Sequence, residues 1–223
     1  MSNERTSPST GQVCVTCVAD SLSVMDEELR TLTQRLRQEA GAAASFSYER
    51  LAATRDLDEL ATVLIAPEQP LWARELAAFR LGVAGDRRAF EALVLLLNHR
   101  DPQRCASAAY ALGRLGDPRT ARAAAALATN ELRVAYALHP VRLLAELRAP
   151  ESVPALITTL ARRFRPHDPY RRVALACVEG LGALGDEKAR PVLNEALVRP
   201  ELARAAADAL KRLPAQRTPR DRD

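Results

Sequence analysis

The feature that most constrains the fold of this 223-residue chain is a glycine motif that occurs three times. Gly-x-x-Gly-Asp ends an Ala- and Leu-rich segment at residues 82–86, 113–117 and 182–186, and an apolar helical pattern follows each copy. Glycine can end a helix because it readily takes the left-handed conformation there, and aspartate can accept hydrogen bonds from the free N–H groups that begin the next helix. The motif therefore predicts a helix, a tight junction and a second helix.

The spacing of these junctions predicts a stack of helix pairs. From Gly85 to Gly116 is 31 residues, and from Gly116 to Gly185 is 69, which is room for two units with one further junction. Arg148 and Ala149 stand at that junction in place of Gly and Asp. A period near thirty residues, with two helices in each unit, is typical of a solenoid. We predict helix pairs at 44–66, 70–98, 101–129, 130–163 and 167–198, and a lone closing helix at 200–213.

The composition agrees with a thin all-α protein. Hydrophobic residues make up 48% of the chain but aromatic residues only 4%, and strand-like alternation is absent from the sequence. Charged residues make up 27% of the chain. Together with the high hydrophobic content, this fraction excludes a chain that is disordered throughout. No apolar run approaches the ~18 residues of a membrane helix, and no signal-peptide pattern occurs. We therefore expect a cytoplasmic protein that does not associate with a membrane. The high Ala and Arg content is typical of a protein from a bacterium with a GC-rich genome.

The chain divides into four predicted segments. A disordered N-terminal tail with a Cys-x-x-Cys motif spans 1–22, an amphipathic capping helix spans 23–43, the repeat solenoid spans 44–213, and a disordered tail spans 214–223. Leu29, Leu32 and Leu36 lie on one face of the predicted capping helix, and acidic residues occupy its first turn. We expect this helix to cover the N-terminal end of the solenoid.

The repeated unit resembles a known family. Its Ala-rich first helix, the Leu-Gly-x-x-Gly-Asp junction and a second helix with Val-Pro-x-Leu are similar to HEAT-like repeats, in particular the short type named after phycobiliprotein lyases, over about residues 50–213. The resemblance implies an α-solenoid (superhelix) of about five helix pairs that presents an interaction surface. Such repeats occur in bilin lyases, in assembly and regulatory adaptors, and in a group of DNA glycosylases.

The resemblance also implies an ion-pair ladder, in which arginines of the first helices pair with the junction aspartates along the stack. The arginines are Arg74, Arg104, Arg133, Arg172 and Arg204, and the aspartates are Asp86, Asp117 and Asp186.

A basic loop at residues 162–172 is the strongest candidate for binding. It holds five arginines and one aspartate, so its charge of +4 equals the formal net charge of the whole chain. Guanidinium groups suit carboxylates and phosphates, and aromatic side chains between them can anchor a peptide. We predict that this basic loop binds a partner protein with an acidic patch. The residues expected to do so are Arg162, Arg163, Phe164, Arg165, His167, Tyr170 and Arg171.

The second helices are expected to line the concave face of the solenoid. The residues predicted to point into this groove are Glu91, Asn98, Arg119, Arg122, Thr158, Arg162 and Glu195. Their mixed charge suits a polar protein surface, whereas a nucleic acid would need a continuous basic stripe. Nucleic acid is therefore not the expected partner, and a nucleic-acid-binding protein or DNA glycosylase is kept as an alternative. A bilin-lyase-like protein is another.

Residues that could carry chemistry are sparse. The sequence offers no nucleophile–base pair, Gly-rich phosphate loop or paired catalytic carboxylates, so we expect a non-enzymatic scaffold, adaptor or regulator without a cofactor. Cys14 and Cys17 could bind a metal, although a structural zinc site needs four ligands. The segment CVTCVADSLSV resembles the start of small hydrogenase-maturation chaperones, whose N-terminal cysteine carries a metal fragment, so metalloenzyme maturation is a further alternative. Cys105 and Cys177 lie in Ala-rich helices and are predicted to be buried.

Overall fold

The structure is a computed structural model that describes residues 30–165 and 167–214, which are mostly helical and contain no strand. None of the helices in this part of the chain is long and apolar enough to cross a membrane. In chain order the helices are α1 (30–40), α2 (Ser45–Ala53), α3 (Leu57–Ile65), α4 (Leu71–Val83), α5 (Phe90–Leu97), α6 (Pro102–Leu115), α7 (Arg119–Ala128), α8 (Leu138–Leu147), α9 (Ser152–Ala161), α10 (Arg171–Leu184), α11 (Arg190–Leu197) and α12 (Ala203–Arg212). Short 3₁₀ turns precede α2, α5, α8 and α11.

The helices form two layers, as expected for an all-α solenoid. The even-numbered helices from α2 to α12 pack side by side as the first-helix layer. The odd-numbered helices from α3 to α11 form the second-helix layer, and each of them packs against the first helix of the next unit. The predicted architecture of five helix pairs followed by a closing helix is thus confirmed, with α12 as the closing helix.

Glycine and aspartate form the junctions as predicted. Gly116 and Gly185 have left-handed backbones, with φ angles of 66° and 69°. The side chains of Asp117 and Asp186 then accept hydrogen bonds from the backbone N–H two residues further on, at 2.9 and 2.8 Å. At the junction without glycine, Arg148 takes the same left-handed conformation, with φ at 50°. The left-handed end of the first helix is therefore kept at this junction, although α9 begins without a side-chain cap.

Small residues allow the first helices to lie very close together. A Cβ atom built on Gly180 would lie 3.0 Å from the Cβ of Ala145 on α8. One built on Gly182 would lie 2.7 Å from the Cβ of Ala209 on α12. Larger side chains cannot fit between helices at this separation, which explains why Ala and Gly face each other at these contacts.

Leucines fill the space between the two layers, and the fully or nearly buried aromatic residues lie in the first two helix pairs. Leu93, Leu156 and Leu193, one from each of three second helices, are fully buried. Trp72 on α4 is also buried, and its ring packs against Tyr48 of α2 with the centroids 5.9 Å apart. Trp72, the single tryptophan of the chain, is therefore part of the core.

A buried network of charges attaches α1 to the stack. Glu75 of α4 pairs with Arg35 of α1 and, at 2.6 Å, with Arg104 of α6. Arg104 also pairs with Glu39 of α1 at 2.7 Å. Leu32 and Leu36 of α1 are buried as well, so α1 contacts the second and third helix pairs through both apolar and charged groups. Leu29 lies outside the described residues.

The predicted ladder between first-helix arginines and junction aspartates is wrong. Asp86 pairs with Arg88, and Asp117 pairs with Arg119 at 2.9 Å, so each aspartate binds the arginine that follows it by two residues. Hydrogen bonds from that guanidinium also hold the pKa of Asp117 below its usual value. Arg104, a member of the predicted ladder, pairs with Glu75 instead. Asp86 and Asp117 bind these arginines because residues two positions apart in the junction lie next to each other.

Other arginines connect consecutive units by binding the ends of helices. The Arg162 guanidinium donates to the carbonyl oxygen of Thr129, 2.6 Å away at the end of α7. Arg199 donates in the same way to the carbonyl oxygen of Phe164, 3.2 Å away just after α9. Cations are favourable at the C-terminal ends of helices because carbonyl groups there lack intrahelical partners. These two contacts join consecutive units in the C-terminal half of the stack.

Candidate partner-binding site

The structure separates the arginines of the basic loop into two groups. Arg162 pairs with Glu131 at 3.2 Å, and Arg163 is buried and pairs with Asp168 at 3.1 Å. The carboxylate of Asp168 also accepts a hydrogen bond from the backbone N–H of Tyr170, at 2.8 Å. Arg162 and Arg163 therefore hold the loop in place, and their charges are compensated within the protein.

The remaining arginines of the loop face solvent. Arg165, Arg171 and Arg172 are exposed, and none of them pairs with a carboxylate of the described residues. His167 is exposed too and has a left-handed backbone with φ at 58°. The uncompensated charge of the basic loop is thus concentrated in these arginines, two of which begin α10.

Phe164 has a structural role in the loop. The guanidinium carbon of Arg199 lies 3.9 Å from the centroid of the Phe164 ring, and the same arginine binds the Phe164 carbonyl. Phe164 is half-buried in this position. It therefore anchors the loop to the last helix pair, and its exposure to a partner is limited.

A cleft opens beside the loop at the edge of the first-helix layer. Its volume is about 320 Å³, and it lies where α6, α8 and α10 begin. We call it the tyrosine cleft because Tyr136 and Tyr170 both line it. The other lining residues are Pro102, Cys105, Ala135, Leu138, His139, Arg142, Pro169, Arg171, Arg172 and Val173.

The charged residues that line the tyrosine cleft are all positive. Arg142, Arg171 and Arg172 line it, no acidic residue does, and no ion pair to a described carboxylate compensates these arginines. Burial, together with the charges of Arg142 and Arg172, lowers the pKa of His139 below its ordinary value. His139 is therefore neutral at pH 7, and the positive charge of the cleft comes from the guanidinium groups.

Sequence reasoning missed most of this cleft. Tyr136, His139 and Arg142 follow one another at intervals of three residues, a spacing that places side chains on one side of a helical segment. That pattern is a signal in retrospect, although it does not reveal that Tyr170 and Arg172 of the next unit face the same space. The stacking of units, which brings these residues together, is not encoded in any local motif.

The polar residues predicted on the second helices are indeed placed there, but not as one cluster. Glu91 and Arg119 form an exposed pair between α5 and α7 at 3.2 Å. Arg122 is exposed on α7, whereas Thr158 on α9 is half-buried. Glu195 on α11 pairs with Arg199 at 3.4 Å. Asn98, exposed at the end of α5, accepts a hydrogen bond from Arg133 through its carbonyl oxygen.

One comparison with known families bears on this site. Residues 173–199 match the family model of the PBS lyase HEAT-like repeat. This segment is a HEAT-like repeat. It covers most of α10, the glycine–aspartate junction and α11, so the resemblance predicted from the sequence is confirmed there. A search of curated proteins finds no match to the chain.

The basic loop and the tyrosine cleft adjoin this HEAT-like repeat. Arg171 and Arg172 directly precede the matched segment, and Val173, its first residue, lines the cleft. The chain therefore carries a repeat scaffold with a cationic, aromatic-lined cleft at the start of a repeat. A bilin-lyase-like role is not favoured by these findings.

The cysteines give no support to metal binding within the described residues. No group of histidine, cysteine or acidic side chains in that part of the chain could hold a metal ion. Cys105 and Cys177 are buried as predicted, and burial raises the pKa of Cys177 to about 12, which keeps the thiol protonated. Cys14 and Cys17 lie outside the described residues, so the metal-maturation hypothesis stays a prediction.

Proposed function

We propose that this chain is a non-enzymatic, protein-binding scaffold that holds an acidic segment of a partner protein at the basic loop. One observation carries the proposal: Arg165, Arg171 and Arg172 are exposed and without ion-pair partners among the described residues. Arg162 and Arg163 of the same loop, in contrast, are paired with Glu131 and Asp168. The free guanidinium groups can bind carboxylates in a bidentate manner, which gives both attraction and orientation.

The rigidity of the scaffold supports this role. The carbonyl contacts of Arg162 and Arg199 connect the units on both sides of the loop. The Arg163–Asp168 pair fixes its interior, with both side chains close to fully buried. A binding site held in place before the partner arrives loses less entropy on binding than a flexible one. The exposed arginines therefore project from a loop whose base is already ordered.

A peptide-display selection on the full chain tests the proposal. We expect random peptides selected on this protein to be enriched in Asp and Glu. An acidic peptide so obtained should bind at least tenfold more weakly to a variant with Arg171→Glu and Arg172→Glu, because the reversed charges repel its carboxylates. Arg163 is unsuitable for such a test because its loss would leave Asp168 buried without its partner.

The matched control reverses two exposed arginines far from the loop. Arg55 precedes α3 and Arg87 precedes α5, so Arg55→Glu with Arg87→Glu gives the same change in net charge. This control should retain the affinity of the wild-type protein. Selection of peptides without acidic enrichment, or equal losses in both double variants, would contradict the proposal.

A further inference from the structure

We infer that the tyrosine cleft receives an aromatic side chain of the acidic partner segment, while Arg142, Arg171 and Arg172 bind the carboxylates on either side of it. This inference rests on the proposed function and adds the chemical nature of the anchor. It is drawn from the shape of the cleft, the bracing of its two rings and its uncompensated charge.

The interior of the tyrosine cleft suits a ring. Leu138 and Val173 contribute aliphatic surface, and Tyr136 and Tyr170 contribute aromatic surface. Aromatic pairs add about 0.5–1.5 kcal/mol beyond the burial of their area. The cleft volume of about 320 Å³ is at the lower end of the range for small-molecule pockets, so it fits a single side chain better than a large cofactor.

Both tyrosines are braced by arginines that belong to the scaffold. The guanidinium carbon of Arg133 lies 4.6 Å from the ring centroid of Tyr136, and that arginine also donates to the carbonyl of Asn98. Arg163, which is fixed by its pair with Asp168, lies 5.7 Å from the ring of Tyr170. The walls of the cleft are therefore ordered without a ligand, a condition that favours tight binding of a rigid anchor.

Charge distinguishes this cleft from a second groove, which lies on the other side of Arg171. The groove between α10 and α12 has a volume of about 440 Å³, and three arginines and three acids line it. The charged residues that line it are Arg171, Glu179, Glu201, Arg204, Asp208 and Arg212. That groove shares Arg171 with the tyrosine cleft, but three acids also line it, whereas no acidic residue lines the cleft. An anionic ligand is therefore attracted to the cleft more strongly than to the groove.

The spread of the cations argues for a segment of protein as the occupant. Arg171 and Arg172 lie at the rim of the cleft, and Arg165 is exposed further back in the same loop. A single small acid would neutralise one part of this surface only. A peptide with acidic residues around one aromatic residue can place the ring in the cleft and extend its carboxylates along the loop.

The test compares two versions of one peptide on two versions of the cleft. We would take an acidic peptide from the selection described above that contains an aromatic residue, and replace that residue with Ala. Fluorescence anisotropy with the full chain should show at least a tenfold loss of affinity. Ala135 is exposed and lines the cleft, so Ala135→Phe should fill the space and produce a similar loss for the aromatic peptide but not for its Ala version.

The control for cleft filling is Ala53→Phe, which adds the same ring at an exposed position at the end of α2 and should not alter binding. Selected peptides that lack an aromatic residue, or less than a twofold effect of both ring changes, would overturn the inference. If the acidic peptides still depended on Arg171 and Arg172 in that case, the proposed function would stand. Insensitivity to those arginines would instead remove the proposed function as well.

Discussion

At the scale of single residues, Arg148 illustrates how the repeat geometry overrides local preference. It ends α8 with φ at 50°, a conformation that the junctions at Gly116 and Gly185 give to glycine. A side chain in the left-handed region costs about 1–2 kcal/mol, so replacing it with glycine removes this strain. Part of that stabilisation is offset because glycine loses more entropy on folding. We therefore expect Arg148→Gly to raise the free energy of unfolding by about 0.5–1 kcal/mol in urea denaturation.

The matched control for Arg148 is Gly116→Ala. It introduces a Cβ at φ 66° and should lower the free energy of unfolding by about 1 kcal/mol. A loss of stability in Arg148→Gly would contradict the prediction, since it would mean that the arginine side chain makes contacts worth more than the backbone strain.

A second prediction at this scale concerns His139 and pH. Its pKa is lowered in the folded protein by burial and by Arg142 and Arg172, whereas the unfolded chain has the ordinary value of about 6.5. The unfolded state therefore binds more protons just below that pH, so the free energy of unfolding falls as pH drops from about 6.5 towards the folded pKa. Above about pH 7 His139 makes no contribution of this kind.

Urea denaturation at pH 7.5 and pH 5.5 measures this effect. His139→Gln should make the difference in stability between the two pH values smaller than it is in the wild type. Comparing the difference, and not the stability itself, removes any constant effect of the substitution on packing. An unchanged difference would show that protonation of His139 is not coupled to folding.

At the scale of helices, the close contact between α10 and α12 depends on one glycine. A Cβ on Gly182 would lie 2.8 Å from the Cα of Ala209, and a backbone atom cannot move aside as a flexible side chain can. We expect Gly182→Ala to lower the free energy of unfolding by about 1–3 kcal/mol, the usual cost of overpacking. Faster hydrogen exchange should appear in α12, because that helix is displaced.

Gly113 provides the matched control, since it occupies the equivalent position of its own junction motif. A Cβ there would meet the carboxylate end of Glu146, at 3.0 Å, and that side chain can rotate away. Because Ala also favours the helix by about 0.5–1 kcal/mol over Gly, Gly113→Ala should be neutral or stabilising. Equal destabilisation by both substitutions would contradict the role we assign to the α10–α12 contact.

The helices and junctions were predictable because their determinants are local. The hydrogen bond from the Arg119 N–H to Asp117 joins residues two positions apart, and Gly116 precedes them directly. The ladder of arginines and aspartates was not predictable from the same pattern. Arg104, one of its predicted members, pairs with Glu75 and Glu39 instead, and these residues become its neighbours only when α1, α4 and α6 pack together.

At the scale of the whole molecule, the buried charge network unites α1 with the second and third helix pairs. Glu75 binds both Arg35 and Arg104, and its side chain is only 2% exposed. Removing one partner from a buried network costs up to about 3–5 kcal/mol, because Arg35 and Arg104 would then share Glu39 as the remaining carboxylate of the network. We expect Glu75→Gln to lower the free energy of unfolding by about that amount and to increase hydrogen exchange in α1.

An exposed ion pair serves as the control for Glu75. Glu49 and Arg37 also connect α1 and α2, but their side chains are 53% and 66% exposed. Exposed pairs contribute about 0–1 kcal/mol, so Glu49→Gln should change stability little. If Glu75→Gln had no larger effect than Glu49→Gln, the network would not be what holds α1 against the stack.

The sequence by itself determined the repeat, since a glycine that ends a helix and an aspartate that begins the next act through hydrogen bonds between near neighbours. It also located the basic loop, because the charge of residues 162–172 can be counted. Only the tertiary structure decided which of those charges are free: Arg163 is buried with Asp168, while Arg171 and Arg172 stay exposed. The tyrosine cleft likewise combines side chains from three units. Whether an arginine is neutralised, and whether side chains enclose a cleft, depends on distances between residues of different units. The stacking of the helix pairs sets those distances.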